Sequence, residues 1–487
     1  MSVTTGVRAV ERTAMNTRLE GDTKALSTWQ LVAYGQVVVP LAIIGLPLAI
    51  YIPPFYSQTL GLDLASVGFI LLIARLADVF IDPMVGHFSD STHTRWGRRR
   101  PWVLAGVPVM MVSAFMLLVP QGEVTNLYLF IWICAIYLGF TLITIPYGAW
   151  GAELSGDYHE RNRITGSREI FLLVGLLMAI TAPILGGYQS GADAAPKAAF
   201  HAMAALGWMT VILTPVGAFF LLLFVPEPYS KKVFRMSLRK GLRIAMRNGP
   251  FRLILYTTIL GSFAGSLNAS VAIFFFDHIA NLGKSASALI FVLFLSGVIG
   301  SPFWVRIGGR IGKHKAIVIA GTVSMVAFAA VPVLIYVVRP VAPDLVIWGM
   351  FAITIIQGLS IGAAPILGQS MMADVVDLDT LKSGEQRAGF MIAFVSMLRK
   401  AFEAAGLVAL PILAWAGFDP MSYNNTPAAN FTLLAMYCLA PMALWSITIV
   451  LISRYPITQE RQVRLRLALE KKLVRKRAAA LALEQEV

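Results

Sequence analysis

Charge is what this 487-residue chain has little of: Asp, Glu, Lys and Arg make up 14% of it, against 57% hydrophobic residues. A soluble domain carries about 25% charge, so water is excluded as its main solvent. Cysteine is scarcer still. Cys134 and Cys438 both fall inside apolar stretches, which excludes a disulfide framework or thiolate metal centre and leaves two small apolar packers. His87, His93 and His278 have no metal-ligand spacing, and Asp277-His278 reads as an interfacial pair. The first 27 residues are polar and lack the short apolar core and small-residue site of a cleaved leader. No organic cofactor is expected.

Long apolar runs are what the chain has in abundance, and its mean hydropathy is +0.71. A hydrocarbon core of about 30 Å is crossed by about 20 helical residues. Twelve such runs fall at 30–55, 65–89, 101–121, 126–152, 166–189, 202–226, 251–280, 285–305, 314–338, 344–373, 387–416 and 430–453. They predict an all-α integral membrane protein with twelve spans.

A formal net charge of +14 would suit nucleic acid, but the basic residues are distributed for a membrane. With both termini on one side, 34 of the 40 Lys and Arg lie in or beside the loops and tails of that side. The opposite loops hold Lys197, Lys284 and Arg339. This positive-inside bias predicts cytoplasmic termini in a cell (inner) membrane, with lipid and not nucleic acid as the surrounding partner.

The spacing divides the chain into a tail (1–29), a first six-helix half (30–226), a basic linker (227–250), a second half (251–453) and a basic tail (454–487). Two anchors indicate duplication. Pro83 and Pro302 lie in matching helix exits at an offset of 219, and Glu153 and Asp374 in another pair at 221, as duplicated halves require. The tail from Arg454 has apolar residues every three to four positions. It fits an amphipathic helix on an anionic leaflet or a solvated, topology-fixing segment.

Six charges lie within the runs: Arg75, Asp78 and Asp82 in the second, Arg399, Lys400 and Glu403 in the eleventh. Each costs about 2.5–3.5 kcal/mol at a helix centre on insertion scales. They sum to zero, which predicts a paired interior network. At 1.5 Å per residue, Asp78 and Thr141 lie about 18 Å deep, Lys400 about 20 Å, Thr144 about 13 Å and Asp82 about 12 Å. Asp78 and Asp82 share a helical face, with Arg75 one turn beyond. Two carboxylates this close repel until a proton or metal cation resolves the conflict. The pair, with the Thr141 hydroxyl, is a natural coupling-ion site for H+ or Na+, and Lys400 suits it when the cation is absent. The competing reading is a purely structural network with Arg75. Gly86, Asp90, Arg95, Gly97 and Arg98 at the exit of the second run have the composition of a tight turn with inter-helix ion pairs that break on opening.

The stretches DVFIDPMVG and RWGRRRPWVLAG, followed by ADVVDLD, SGEQRAGF and MLRKAFEAAG, resemble the glycoside-pentoside-hexuronide:cation symporters, the melibiose-permease-like family of the major facilitator superfamily, over 30–456. The resemblance implies a twelve-helix major facilitator fold and a transporter, not an enzyme. It places a cation site at Asp78, Asp82 and Thr141 facing Lys400, gate pairs of Arg161 with Asp374 and Asp377, and a solute-facing arginine at Arg168. Further candidates for solute contact are Tyr34, Gln36, Thr144, Tyr147, Trp150 and Glu403, with helix packing the competing explanation for the aromatics. Two departures matter. The first run has no acid and Thr144 stands where the family has another, so a galactoside site does not follow. Ile81 stands where sodium users carry a polar residue, which favours a proton.

The expected function is monomeric, cation-coupled symport of a sugar, glycoside or related small polar solute. A lysolipid or other amphipathic solute on the same fold is the alternative. A membrane prenyltransferase using Asp78, Asp82, Asp374, Asp377 and Asp379 is a remote one, since its two acid clusters would lie at different depths.

Overall fold

A computed structural model describes residues 25–457, apart from 93, 156–157, 186–195, 228–245, 283–284 and 384–387, together with 460–461 and 464. Most of both tails and of the basic linker 227–250 therefore lies outside the described residues. The chain is nearly all helix, in the order α1 (Thr28–Ile50), α2 (Leu64–Ser91), α3 (Arg100–Leu118), α4 (Asn126–Glu153), α5 (Tyr158–Leu185), α6 (Pro196–Phe224), α7 (Gly249–Ile279), α8 (Ala286–Ile311), α9 (Lys313–Val338), α10 (Leu345–Leu381), α11 (Ala388–Gly406) and α12 (Pro427–Ser453). The end of the bundle where α1 begins is called proximal below, and the end where α2 begins distal.

Among the described residues, eleven helices are long and apolar enough to cross a membrane. The exception is α11, where the sequence predicts a twelfth span. Its 19 residues include Arg399, Lys400 and Glu403, and these lower its hydropathy. A helix of this composition is tolerated in lipid only when its charges face other helices.

Prolines explain the breaks. Pro40 has no N–H for the Gln36 carbonyl, and the Val39 N–H takes that oxygen instead at 3.0 Å. The tightened turn separates Thr28–Gly35 from Val38–Ile50. Pro411 does the same beyond α11, where Leu410 N–H reaches the Leu407 carbonyl at 3.1 Å and a short helix, Ala409–Trp415, follows. In both places an i→i+3 bond replaces the one proline cannot make.

Large apolar side chains cover the outside of the bundle. Phe80, Trp348 and Val326 are exposed, an arrangement that suits lipid and that water would penalise. Phe80 points away from Asp78 on the same helix, because two residues turn an α-helix by about 200°. Inside, helices approach closely where glycine allows it. A Cβ on Gly300 of α8 would collide with the Leu359 backbone carbonyl, and one on Gly358 of α10 would lie 2.6 Å from the Ser296 Cβ.

Gly300→Ala is therefore expected to push α8 from α10 and lower stability by about 1–3 kcal/mol. Gly261→Ala on α7, where a Cβ meets nothing within 4 Å, is expected to be neutral or to stabilise by up to about 1 kcal/mol. Thermal unfolding of the two detergent-solubilised variants checks the contrast; equal shifts would show that the contact does not limit packing.

Candidate functional site

The apolar walls of α2, α4 and α11 leave their charged side chains one direction to point, toward one another. Thr141 of α4 lies with its hydroxyl 2.8 Å from Asp78 Oδ1 and 2.9 Å from Asp82 Oδ1. Lys400 of α11 donates to Asp78 Oδ2 at 3.2 Å and also pairs with Asp82 Oδ2. Arg75 reaches Asp78 at 3.4 Å and Glu403 at 3.3 Å, with its guanidinium 5.1 Å from the centre of the Tyr137 ring. Arg399 pairs with Glu403. The result is a continuous chain of ion pairs, Arg399–Glu403–Arg75–Asp78–Lys400–Asp82, that joins α2 to α11. Asp78 is 1% exposed and Thr141 is fully buried, so the innermost charges are held in a medium where an unpaired one would be costly.

The remaining candidates divide. Gln36 and Thr144 are half-buried, and Arg168 of α5 holds Glu169 at 2.7 Å with 40% of its side chain exposed. Tyr34 and Tyr147 are closed upon each other, with ring centroids 4.5 Å apart. The Tyr147 hydroxyl donates to the Tyr34 carbonyl at 3.0 Å and the Tyr34 hydroxyl lies 3.5 Å from the Tyr147 carbonyl. Trp150 is fully buried and donates its indole N–H to the Pro226 carbonyl at 2.8 Å. These three aromatics pack the interior around α1 and α4 and present no open face to a solute.

A second group of charges lies at the proximal end. Arg99 is 3% exposed and bridges Glu153 at 2.8 Å and Asp90 at 3.1 Å, while Arg98 shares one Nη between the two Glu153 oxygens at 2.7 and 2.8 Å. The Glu227 carboxylate accepts the backbone N–H groups of Arg98 and Arg99, each at 2.7 Å, and so caps the start of α3 where the helix dipole favours an anion. Gly97 at φ +117° makes this possible, since a Cβ there would occupy the Glu227 carboxylate. Asp90 and Arg98 thus belong to one network, joined through Arg99 and Glu153. Arg95 is a correction: it is exposed and lies 5.6 Å from the Trp96 ring centre, while Arg99 turns inward. Sequence spacing missed Arg99 and Glu227 because nothing in four near-consecutive arginines says which one faces in.

At the start of α9, Lys313 holds Asp374 of α10 at 2.6 Å. The expected partner of Asp374 and Asp377 was Arg161, whose side chain lies outside the described residues. Cys134 and Cys438 are both free thiols. Among the described residues no cluster of His, Cys, Asp and Glu could hold a metal ion by itself.

Residues 33–459 match the family model described as MFS/sugar transport protein. The chain is 26% identical to the sodium-dependent lysophosphatidylcholine symporter 1-A of Danio rerio, across 90% of this chain and 87% of that one. It is 25% identical to the glycoside/cation symporter YagG of Escherichia coli (strain K12), assigned there as putative, across 87% and 90% of the two chains. The fold is that of the nucleoside transporter NupG, with a TM-score of 0.61 at 14% identity over 88% of this chain and 100% of that one.

Removing Lys400 would leave Asp82 facing Asp78 with only the Thr141 hydroxyl as a side-chain contact among the described residues, and Asp78 with Arg75 as its counter-charge. Lys400→Met is expected to cost about 3–5 kcal/mol of stability. Asp78→Asn/Asp82→Asn/Lys400→Met is expected to recover most of it, because neutral amides need no counter-charge. Denaturant unfolding in detergent reads both, and simple additivity of the changes would mean the three residues are not energetically coupled.

Proposed function

The chain belongs to the MFS/sugar transport protein family, among the glycoside–cation symporters, and from that premise we propose a proton-coupled symporter of a small polar solute, a sugar or glycoside by preference. It is a multi-pass membrane transporter, and the family match sets aside the prenyltransferase alternative. In this reading two six-helix halves rock about the central ion-pair chain, with both termini cytoplasmic and the protein in the inner membrane.

The observation that carries the proposal is Lys400 held between Asp78 and Asp82. An ammonium in that place neutralises the acids of the empty carrier, and a cation that binds there displaces it. The donor set suits a proton as that cation. With Lys400 displaced and one acid protonated, Thr141, which lies within hydrogen-bond distance of both carboxylates, can donate to one and accept from the other. A hard metal ion gathers about six oxygens; Asp78, Asp82 and Thr141 offer five here, and two of those face the Lys400 ammonium. Ile81 adds no further ligand.

For the solute, Gln36, Thr144, Arg168 and Glu403 supply the polar contacts, while Tyr34, Tyr147 and Trp150 act as the packed wall behind them in this conformation. The absence of an acid from α1 favours a second reading, an amphipathic solute such as a lysolipid. Its support is the similarity to the lysophosphatidylcholine symporter, whose sodium dependence would then come with it. Asp90, Arg98, Arg99, Glu153 and Glu227, with Lys313 and Asp374, brace the proximal ends of the helices.

A ligand that binds the folded state raises its stability by about 2.7 kcal/mol at 100 times its dissociation constant. Thermal shifts against methyl glycosides, glucuronides and lysophosphatidylcholine therefore identify the solute class, and a shift by lysophosphatidylcholine alone would select the second reading. The stabilising compound is then followed into proteoliposomes under a pH gradient without sodium, and under a sodium gradient at equal pH. Accumulation under the pH gradient, abolished in Asp78→Asn and in Asp82→Asn with folding retained, is the expected result. Accumulation under the sodium gradient alone would make Asp78, Asp82 and Thr141 a sodium site.

A further inference from the structure

The distal ends of α1 and α7 repeat each other residue for residue. Each closes in a π-helical turn, Phe55–Thr59 in one and Phe275–Ile279 in the other, at an offset of 220. The hydrogen bonds coincide: Leu60 N–H to the Phe55 carbonyl and Ala280 N–H to the Phe275 carbonyl, both at 3.0 Å; then Leu62 to Tyr56 at 2.9 Å and Leu282 to Phe276 at 2.8 Å. The chain next enters the left-handed region at the same place, Gly61 at φ +76° and Asn281 at φ +53°. Such turns are uncommon and frequent at functional positions. Two of them in register, at an offset between the 219 and 221 of the sequence anchors, carry the duplication through the backbone.

Within these turns, corresponding residues do corresponding work. Phe55 and Phe275 are fully buried, and the second stacks on Tyr437 at 3.9 Å between ring centroids. Tyr56 ties its own turn to α3 through a 2.8 Å bond to the Leu117 carbonyl. Three positions after each phenylalanine stand Gln58 and His278, also 220 apart, and these touch: the Gln58 amide nitrogen is 3.3 Å from His278 Nε2. A residue can meet its own repeat equivalent only where the two-fold axis relating the halves passes between them. His278 is fixed from its own side by Phe418, edge-on at 4.8 Å, and by Tyr423, stacked at 4.9 Å. Both lie in the segment between α11 and α12.

We propose that Gln58 and His278 form the latch of the distal gate, a contact on the axis between the halves that parts when the solute site opens to the distal side. The proposal rests on the alternating-access reading above, but not on the coupling ion or the solute. Rocking about a central pivot leaves the α2–α11 ion pairs nearly in place and separates groups at one end. The π turns hold both side chains at the interface without ordering a longer loop.

Two experiments test it, and neither needs the solute. In the first, Gln58→Cys/His278→Cys is made with Cys134 and Cys438 replaced by Ala and a protease site inserted in the linker. Under oxidation the cleaved halves are expected to migrate together on a denaturing gel and to separate with dithiothreitol; separation without reductant would overturn the placement. In the second, Arg168→Cys, in the same cysteine-free background, reports access through a membrane-impermeant maleimide added to sealed vesicles of each orientation. Gln58→Ala/His278→Ala is expected to raise labelling from the distal side at least threefold and to lower it from the proximal side. Unchanged labelling from both sides would overturn the latch while leaving the symport reading intact.

Discussion

Two carboxylates one helical turn apart, inside a bundle whose outer surface is apolar, must be neutralised from within, and the rest of the structure follows from that constraint. Asp78 and Asp82 draw Lys400 from α11, Asp78 draws Arg75, and Arg75 draws Glu403 with Arg399 behind it. Helix α11 gives up its hydropathy to supply three of these charges. It is stable in a membrane because α2 faces it. The same pairs that make the helix tolerable also join α2 to α11.

Away from this centre the strong polar contacts stay local. Arg98 and Arg99 grip Glu153 and Asp90 between α2, α3 and α4, and Lys313 grips Asp374 between α9 and α10. Glu153 and Asp374 stand 221 residues apart, and each takes a basic residue from around the start of the helix that precedes its own. These pairs stiffen the proximal ends of two groups of helices as units. The distal contact between Gln58 and His278 is, by contrast, a single hydrogen bond without formal charge, worth about 0.5–1.5 kcal/mol, and suits a joint that has to open.

Much of the central site was legible in the sequence because a charge in an apolar run is conspicuous. Asp78, Asp82, Thr141 and Lys400 were found by depth, Arg75 by helical face and Glu403 as a charge in an apolar run, and the structure brings them together. Their roles in coupling stand as proposals. The proximal network was only half legible: Asp90 and Arg98 announced an ion pair, but the choice of Arg99 over Arg95 depends on the turn at Gly97 and on Glu227, 130 residues further on. Tyr34, Tyr147 and Trp150 could face a solute or each other at the same depth, and stacking geometry is not encoded in spacing. The π turns carry no sequence signal that period counting detects. Their offset of 220 emerges only from the backbone.

The central claim is that the acid pair exchanges Lys400 for a proton. Difference infrared spectroscopy of the reconstituted protein tests it most directly, by recording the carboxyl C=O stretch as pH is lowered in sodium-free buffer. The account predicts a protonated-carboxyl band that appears without sodium and is absent from Asp78→Asn/Asp82→Asn. A spectrum that is silent to pH at these positions and responds only when sodium is added would contradict it.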